Sequence, residues 1–236
     1  MTTRIGEPEA PVEESLLRHP NVPYVAPFAT FLAFLAVVHY LPFRTETVFA
    51  LGFVIVLAML VWLSRDVISF RLSSFLGSAA LGLLVFVIWV APDLLWPAYR
   101  TSWLFNNALV GAPKSSHNLA VKANLMFIVF RVLASVVNVP ILEELFWRGW
   151  LMRWLIAKQF WKVPLGTYVP QAFWTVAILF ASEHGSYWDV GLAAGVLYNW
   201  WMVRTRSLGD CILAHAVTNA CLAVYVLTRD QWQYWL

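Results

Sequence analysis

Apolar segments long enough to enter a lipid bilayer recur along most of this 236-residue chain. Hydropathy and the positions of proline and polar residues divide it into eight segments: 24–41, 47–63, 75–95, 119–139, 141–157, 168–181, 190–203 and 211–227. A membrane-spanning helix needs about 20 apolar residues. Because backbone groups in lipid must bond within the segment, we expect helices rather than open sheet. The pattern therefore predicts an all-α, polytopic membrane protein with about eight transmembrane helices.

The composition agrees with this prediction. The chain is 61% hydrophobic and 12% charged, whereas soluble domains average about 25% charged residues. These values exclude a soluble enzyme, a disordered protein and a disulfide scaffold. The two cysteines, Cys211 and Cys221, lie about 15 Å apart along a helix, too far to bridge. No run of Lys and Arg indicates a nucleic-acid partner, so the expected surroundings are the lipid bilayer.

The domain organisation is simple. Residues 1–22 form a polar tail with several Glu and Pro, and they lack the apolar core of a cleavable signal peptide. Residues 23–236 show no internal repeat and no linker, so we predict a single helical membrane domain. The longest polar stretch, 98–117, is predicted to be a loop.

Ionisable residues within apolar segments are the informative ones, because each costs at least about 2.5–3.5 kcal/mol at the bilayer centre. Segment 141–157 contains Glu143, Glu144 and Arg148. Glu144 and Arg148 are four residues apart and can pair on one helix face. Glu143 is rotated about 100° from Glu144 and has no obvious partner on the helix. An acid of this kind is a candidate general base; the alternative is a packing salt bridge with a spare acid.

The start of this segment suggests how the acids are stabilised. Pro140 suits the first turn of a helix, and Asn138 or Val139 could precede it as the cap. This would place Glu143 and Glu144 near a helix N-terminus, where the helix dipole stabilises negative charge.

Two later segments carry further polar groups. His184 follows segment 168–181, where a lone histidine is more often a packing residue. His215 and Asn219 are four residues apart on segment 211–227 and can present two hydrogen-bond donors from one face. Such donors can bind an oxyanion, or they can hold helices together. Asp210 is a plausible N-cap of that helix.

The other charged and titratable side chains are interpreted as structural. Arg131, in the middle of segment 119–139, needs a partner such as an acid of the next segment. His19, His39 and His117 lie in or near polar stretches and suggest no function.

Three motifs occur in order on three apolar segments: EExxxR at Glu143–Glu144–Arg148, FxxxH at Phe180–His184, and HxxxN at His215–Asn219. Together they resemble the CPBP family of intramembrane proteases, which includes the CAAX prenyl endopeptidases and bacterial relatives linked to bacteriocin self-immunity. The motif-bearing region spans residues 119–227. The tail at 230–235 is similar to that of the exosortase- and PEP-CTERM-associated subgroup.

The resemblance implies a fold of about eight helices around a polar cavity, and it implies roles for six residues. Glu143 would activate a water molecule together with His184. His215 and Asn219 would stabilise the oxyanion, and Glu144 and Arg148 would orient the site. The implied activity is hydrolysis of a peptide bond near the C-terminus of a membrane-associated protein, in a bacterial cytoplasmic membrane. No Ser or Cys occupies a motif position, which disfavours a covalent intermediate.

We expect no cofactor. Zinc is the alternative, because one Glu and two His can form a ligand set, but HExxH is absent. Two other functions remain open. The protein could be a non-catalytic membrane scaffold or immunity factor that binds a protein partner. It could also be a transporter, since charged residues within spans mark ion paths, but transporters often show repeated halves and this chain shows none.

Overall fold

The computed structural model describes residues 19–114 and 119–235, and within these ranges the chain is helical, with one isolated backbone bridge and no strand. The all-α prediction is confirmed. Most of the predicted tail, residues 1–18, and His117 lie outside the described residues. The main helices are α1 Val22–Val37, α2 Thr45–Ser64, α3 Phe75–Leu95, α4 Leu125–Trp154, α5 Pro170–Ser182, α6 Trp188–Thr205 and α7 Leu208–Arg229.

Short helices flank this arrangement. A single helical turn, Leu119–Lys122, precedes α4, and a 3-10 turn, Trp232–Tyr234, follows α7. Another 3-10 turn, Gly185–Tyr187, connects α5 to α6. This last connection is central to the site, because it follows His184 directly.

Within the described residues, four helices are long and apolar enough to cross a membrane: α2, α3, α4 and α7. Two more, α1 and α5, are apolar but shorter. The predicted count of about eight spans is therefore not confirmed. Large apolar side chains such as Leu76 and Leu95 are about four-fifths exposed, a surface that suits lipid better than water.

Helix α4 accounts for part of the difference. Segments 119–139 and 141–157 were predicted as two helices, but Leu125–Trp154 is continuous. Asn138 has helical dihedral angles and makes no capping hydrogen bond. The predictions that a helix starts at Pro140 and that its dipole stabilises the acids were therefore wrong.

The physical reason lies in the turn before Pro140. Proline has no N–H and clashes with the preceding helical turn. Residues Ala134–Asn138 form a wider π-helical turn, and such local adjustments let membrane helices accommodate proline. A second π-helical stretch, Leu145–Leu151, follows Glu144.

Close helix packing brings the motif-bearing helices together. Helix α7 packs along α3, and α5 packs along α6. Gly82 of α3 makes the first contact possible, because a Cβ there would collide with the Ala214 carbonyl oxygen. Gly195 of α6 similarly faces the Ala177 backbone of α5, about 3.1 Å from where its Cβ would lie.

Asp210 does not cap α7 as predicted. Ser207 is the N-cap, and its side chain accepts a hydrogen bond from the Asp210 N–H at 3.2 Å. The Asp210 carboxylate instead accepts from Ser73 N at 2.7 Å, Ser74 N at 3.0 Å and Ser78 Oγ at 2.7 Å. It thus fixes the start of α7 against the start of α3.

Candidate active site

A cavity of about 180 Å³ lies among α3, α4, α6, α7 and the end of α5. Glu143, His184, His215 and Asn219, predicted from three separate motifs, all line it. The cavity is mixed in character, because aromatic and aliphatic side chains form much of the remaining wall. Glu143 and His215, which are more than 70 positions apart in sequence, therefore line the same polar part of an otherwise apolar helix bundle.

Glu144 and Arg148 lie directly behind this cavity. Both side chains are completely buried, and Arg148 Nη1 donates to Glu144 Oε1 at 3.1 Å. The pairing expected from their spacing is present. Burial of two charges is expensive unless further hydrogen bonds satisfy them, and both side chains have such bonds.

Arg148 connects three helices. Its Nε donates to Asn199 Oδ1 at 2.9 Å, and its Nη2 donates to the Gly195 carbonyl at 3.3 Å. Asn199 in turn donates from Nδ2 to the Phe173 carbonyl at 2.8 Å. The guanidinium carbon also lies 4.5 Å from the centre of the Phe180 ring, a cation–π distance. Asn199, which the sequence interpretation missed, is therefore the link between α4, α5 and α6.

His215 is held by Glu144. Its Nδ1 lies 2.9 Å from Glu144 Oε1, the oxygen that also accepts from Arg148. An ionised carboxylate only accepts, so Nδ1 carries the hydrogen. The ring stacks on Tyr198, with ring centres 5.1 Å apart, and the Tyr198 hydroxyl donates to Thr218 Oγ1 at 2.7 Å. These contacts fix the ring and leave Nε2 directed toward Glu143.

Glu143 has a different environment from its neighbour. It lines the cavity and is 6% exposed, and its Oε2, like that of Glu144, accepts no hydrogen bond from the part of the chain that the structure describes. Its Oε2 lies 4.0 Å from His215 Nε2. This separation is too long for a direct hydrogen bond, but one water molecule can bridge it.

His184 follows the last turn of α5. Its Nδ1 lies 2.7 Å from the Phe180 carbonyl oxygen, and a carbonyl only accepts, so Nδ1 carries the hydrogen. The neutral ring then presents Nε2 as an acceptor. The rings of Trp89 and His184 meet edge to face with their centres 5.2 Å apart, and this contact limits movement of the His184 ring.

Asn219 makes the kind of contact that the alternative interpretation predicted. Its Nδ2 donates to the Ser135 carbonyl of α4 at 2.7 Å, which joins α7 to α4. A primary amide nitrogen carries two hydrogens, so one donor remains for a second acceptor. Asn219 therefore holds two helices together while lining the cavity.

Sequence reasoning also missed the aromatic wall at the C-terminal segment. Tyr234 and Trp235 line the cavity, and the Tyr234 hydroxyl donates to Asp93 Oδ2 at 2.7 Å. Burial, and then the hydrogen bond to Asp93, raise the pKa of Tyr234 above its ordinary value. Asp93 is also 3.1 Å from Arg100 Nε, and Arg100 Nη1 is 2.8 Å from Asp189. The cluster of aromatic residues at 232–235 was the sequence signal that could have indicated this wall.

In residues 19–114 and 119–235, no group of three or more His, Cys, Asp and Glu side chains lies close enough to hold a metal ion.

Comparison with known proteins gives one family match. The family described as type II CAAX prenyl endopeptidase Rce1-like matches residues 125–221. This range contains the three motifs and every predicted site residue. No curated protein and no solved structure matches the chain. The similarity to the exosortase-associated subgroup stays a prediction.

Proposed function

We propose that Glu143 activates the water that hydrolyses a peptide bond, on the basis that residues 125–221 match the Rce1-like family of type II CAAX prenyl endopeptidases. One observation carries the proposal: Glu143, His184, His215 and Asn219 line a single cavity. Glu143 lines that cavity, whereas Glu144 does not line it and shares its Oε1 between Arg148 and His215.

The first step requires a base beside a water molecule. In our proposal Glu143 accepts a proton from water, and the resulting hydroxide attacks the carbonyl carbon of the peptide bond. His184 Nε2 accepts the other water hydrogen and so orients the attacking oxygen. The carbon–nitrogen bond then breaks, and the proton held by Glu143 passes to the departing amine. One water is consumed, and no bond forms between enzyme and substrate.

The oxyanion that forms on the carbonyl oxygen needs donors. The free hydrogen of Asn219 Nδ2 is one candidate, and His215 Nε2 is the other. Because His215 Nδ1 donates to Glu144, Nε2 can donate only when the ring is an imidazolium. The Glu144 carboxylate offsets that charge. Oxyanion stabilisation by His215 therefore depends on Glu144 being ionised.

Glu144 and Arg148 orient the site without touching substrate. Arg148 holds Glu144 and is itself held by Asn199 and Gly195. We propose a membrane-associated protein as substrate, cleaved near its C-terminus without a metal or other cofactor. The setting we propose is a bacterial cytoplasmic membrane.

The test compares Glu143→Gln with the purified wild type in lipid vesicles. The probe is a library of palmitoylated peptides, randomised before a free C-terminus, and mass spectrometry identifies cleavage. Loss of a general base predicts a roughly hundred- to ten-thousandfold lower rate. Glu46→Gln is the control, because Glu46 pairs with Arg44 at the start of α2. Full activity of Glu143→Gln would favour the scaffold or immunity function.

A further inference from the structure

Arg100 lies in the polar stretch that follows α3, yet its side chain is only 6% exposed. It belongs to the 3-10 turn Tyr99–Thr101 and to none of the three motifs. Its Nε lies 3.1 Å from Asp93 Oδ1 near the end of α3, and its Nη1 lies 2.8 Å from Asp189 Oδ1 in the first turn of α6. The guanidinium therefore joins the end of α3 to the start of α6.

The same guanidinium holds the turn that follows His184. Arg100 Nη1 donates to the Ser186 carbonyl oxygen at 2.6 Å, within the 3-10 turn Gly185–Tyr187. Hydrogen bonds from a charged donor are stronger than those between neutral groups. The Tyr187 N–H donates to the His184 carbonyl oxygen at 2.9 Å. The backbone of His184 is thus fixed to a turn that Arg100 holds in place.

A second connection between Arg100 and His184 runs through aromatic rings. The guanidinium carbon lies 4.2 Å from the centre of the Tyr187 ring, a cation–π distance. Tyr187 stacks against Trp89 with the ring centres 6.3 Å apart, and Trp89 meets the His184 ring edge to face. Both the backbone and the ring of His184 therefore depend on the position of Arg100.

We propose that Arg100 is a positioning residue that sets where His184 Nε2 lies relative to Glu143. This inference rests on the proposed function, in which Nε2 orients the attacking water. A displacement of about 1 Å at such a group can lower a rate roughly a hundredfold. Arginine suits this role better than lysine, because its planar fork bonds to several acceptors from different nitrogens, whereas an ammonium group is a single point charge.

The test compares Arg100→Gln and Arg100→Lys with the wild type, as full-length proteins in vesicles, using a peptide that the wild type cleaves. Arg100→Gln should lower kcat per folded protein roughly ten- to a hundredfold. KM should change little, because Arg100 acts on the orientation of water rather than on substrate binding. Arg100→Lys should recover part of the rate, because it keeps a positive charge between the two carboxylates.

Arg153→Gln is the matched control. Arg153 is also a buried arginine, and it donates to the Gly149 carbonyl at 2.6 Å and to the Val163 carbonyl at 3.3 Å. Its loss should lower stability but leave kcat per folded protein unchanged. A fall in kcat for Arg153→Gln equal to that for Arg100→Gln would contradict the proposal.

A double-mutant cycle separates positioning from a general structural role. If Arg100 acts through His184, Arg100→Gln should slow the wild type but cause no further loss in the His184→Ala protein. The same fold loss in both backgrounds would show a structural role only. Deuterium exchange of the backbone amides at 184–189 needs no turnover and should be faster in Arg100→Gln but unchanged in Arg153→Gln. Unchanged exchange in Arg100→Gln would overturn the proposal.

A second variant keeps the test decisive if Arg100→Gln does not fold. Asp189→Asn retains Arg100 but weakens one of its two ion pairs. It should lower kcat and speed exchange at 184–189 in the same direction as Arg100→Gln, by a smaller factor. Wild-type kcat and exchange in Asp189→Asn would contradict the proposal.

Failure of the two proposals can be told apart. Cleavage by Arg100→Gln at the wild-type rate would overturn the role of Arg100 and leave the protease function intact. Absence of cleavage by every preparation, the wild type included, would overturn the protease function. Faster exchange confined to 184–189 in Arg100→Gln would then still show that Arg100 holds His184 in place.

Discussion

At the scale of single residues, the two adjacent acids of α4 have opposite environments. Oε2 of both acids accepts no hydrogen bond from the described residues, but Glu144 Oε1 bonds to Arg148 and His215, whereas Glu143 lines the cavity with His215 Nε2 4.0 Å away. One acid therefore stabilises the fold, and the other is held in the cavity at a cost in stability. Unsatisfied groups of this kind are typical of functional sites.

The contrast predicts opposite stability effects from the same substitution. Glu144→Gln leaves the buried Arg148 charge uncompensated and should lower the free energy of unfolding by about 3–5 kcal/mol. Glu143→Gln removes an unpaired buried charge and should leave stability unchanged or increase it. Thermal unfolding of both variants in the same detergent measures the difference. Equal destabilisation by the two substitutions would contradict the assignment.

Asn199 provides a second test at this scale. Asn199→Leu removes the acceptor of Arg148 Nε and the donor to the Phe173 carbonyl. Each unsatisfied buried group costs about 1–3 kcal/mol, so the unfolding temperature and the peptidase rate should both fall. Gln171→Leu, an exposed amide on α5, is the matched control and should change neither. A stable and active Asn199→Leu protein would show that Arg148 needs no support from α6.

At the scale of helices, the sequence predicted contacts within a helix better than the positions where helices begin and end. The i,i+4 spacing of Glu144 and Arg148 correctly predicted their ion pair, because helical geometry alone determines it. Pro140 was a misleading signal, since the π-helical turn Ala134–Asn138 accommodates it within one long helix. Long-range partners such as Asn199 and Ser135 could not be predicted, because they depend on how helices pack rather than on local spacing.

Packing of α3 against α7 places His215 and Asn219 in the cavity, and Gly82 permits the close approach. Gly82→Val should push the helices apart and lower stability by about 1–3 kcal/mol, with a parallel loss of activity. Leu83→Val is the control on the same helix, because Leu83 is half exposed. The unfolding temperatures and peptidase rates of the two variants are compared with those of the wild type. A Gly82→Val protein with wild-type stability and activity would show that the close contact between α3 and α7 is not required.

At the scale of the whole molecule, the C-terminal segment completes the cavity. Tyr234 and Trp235 form part of its wall, and the Tyr234 hydroxyl holds this segment to Asp93 of α3. Membrane character and the three motifs were predictable from sequence, since both depend on residue type and order. The contribution of the C-terminal segment to the cavity wall was not predictable, because Tyr234 and Asp93 are far apart in sequence and meet only through tertiary packing.

Tyr234→Phe should loosen the segment that covers the cavity. Loss of the hydrogen bond to Asp93 costs about 1 kcal/mol, so backbone amides of residues 231–235 should exchange with deuterium faster than in the wild type. Tyr40→Phe, at a position that is 86% exposed, should leave their exchange unchanged. Identical exchange in the Tyr234→Phe and wild-type proteins would mean that aromatic packing alone holds the tail.

The measurement that tests the central claim most directly is a single turnover in H₂¹⁸O with a peptide that the wild-type protein cleaves. If Glu143 activates water, the first turnover places one ¹⁸O atom in the new carboxylate of the product, and Glu143 stays unlabelled. An unlabelled product together with ¹⁸O on Glu143 would show that the glutamate attacks the peptide directly, and it would contradict the account.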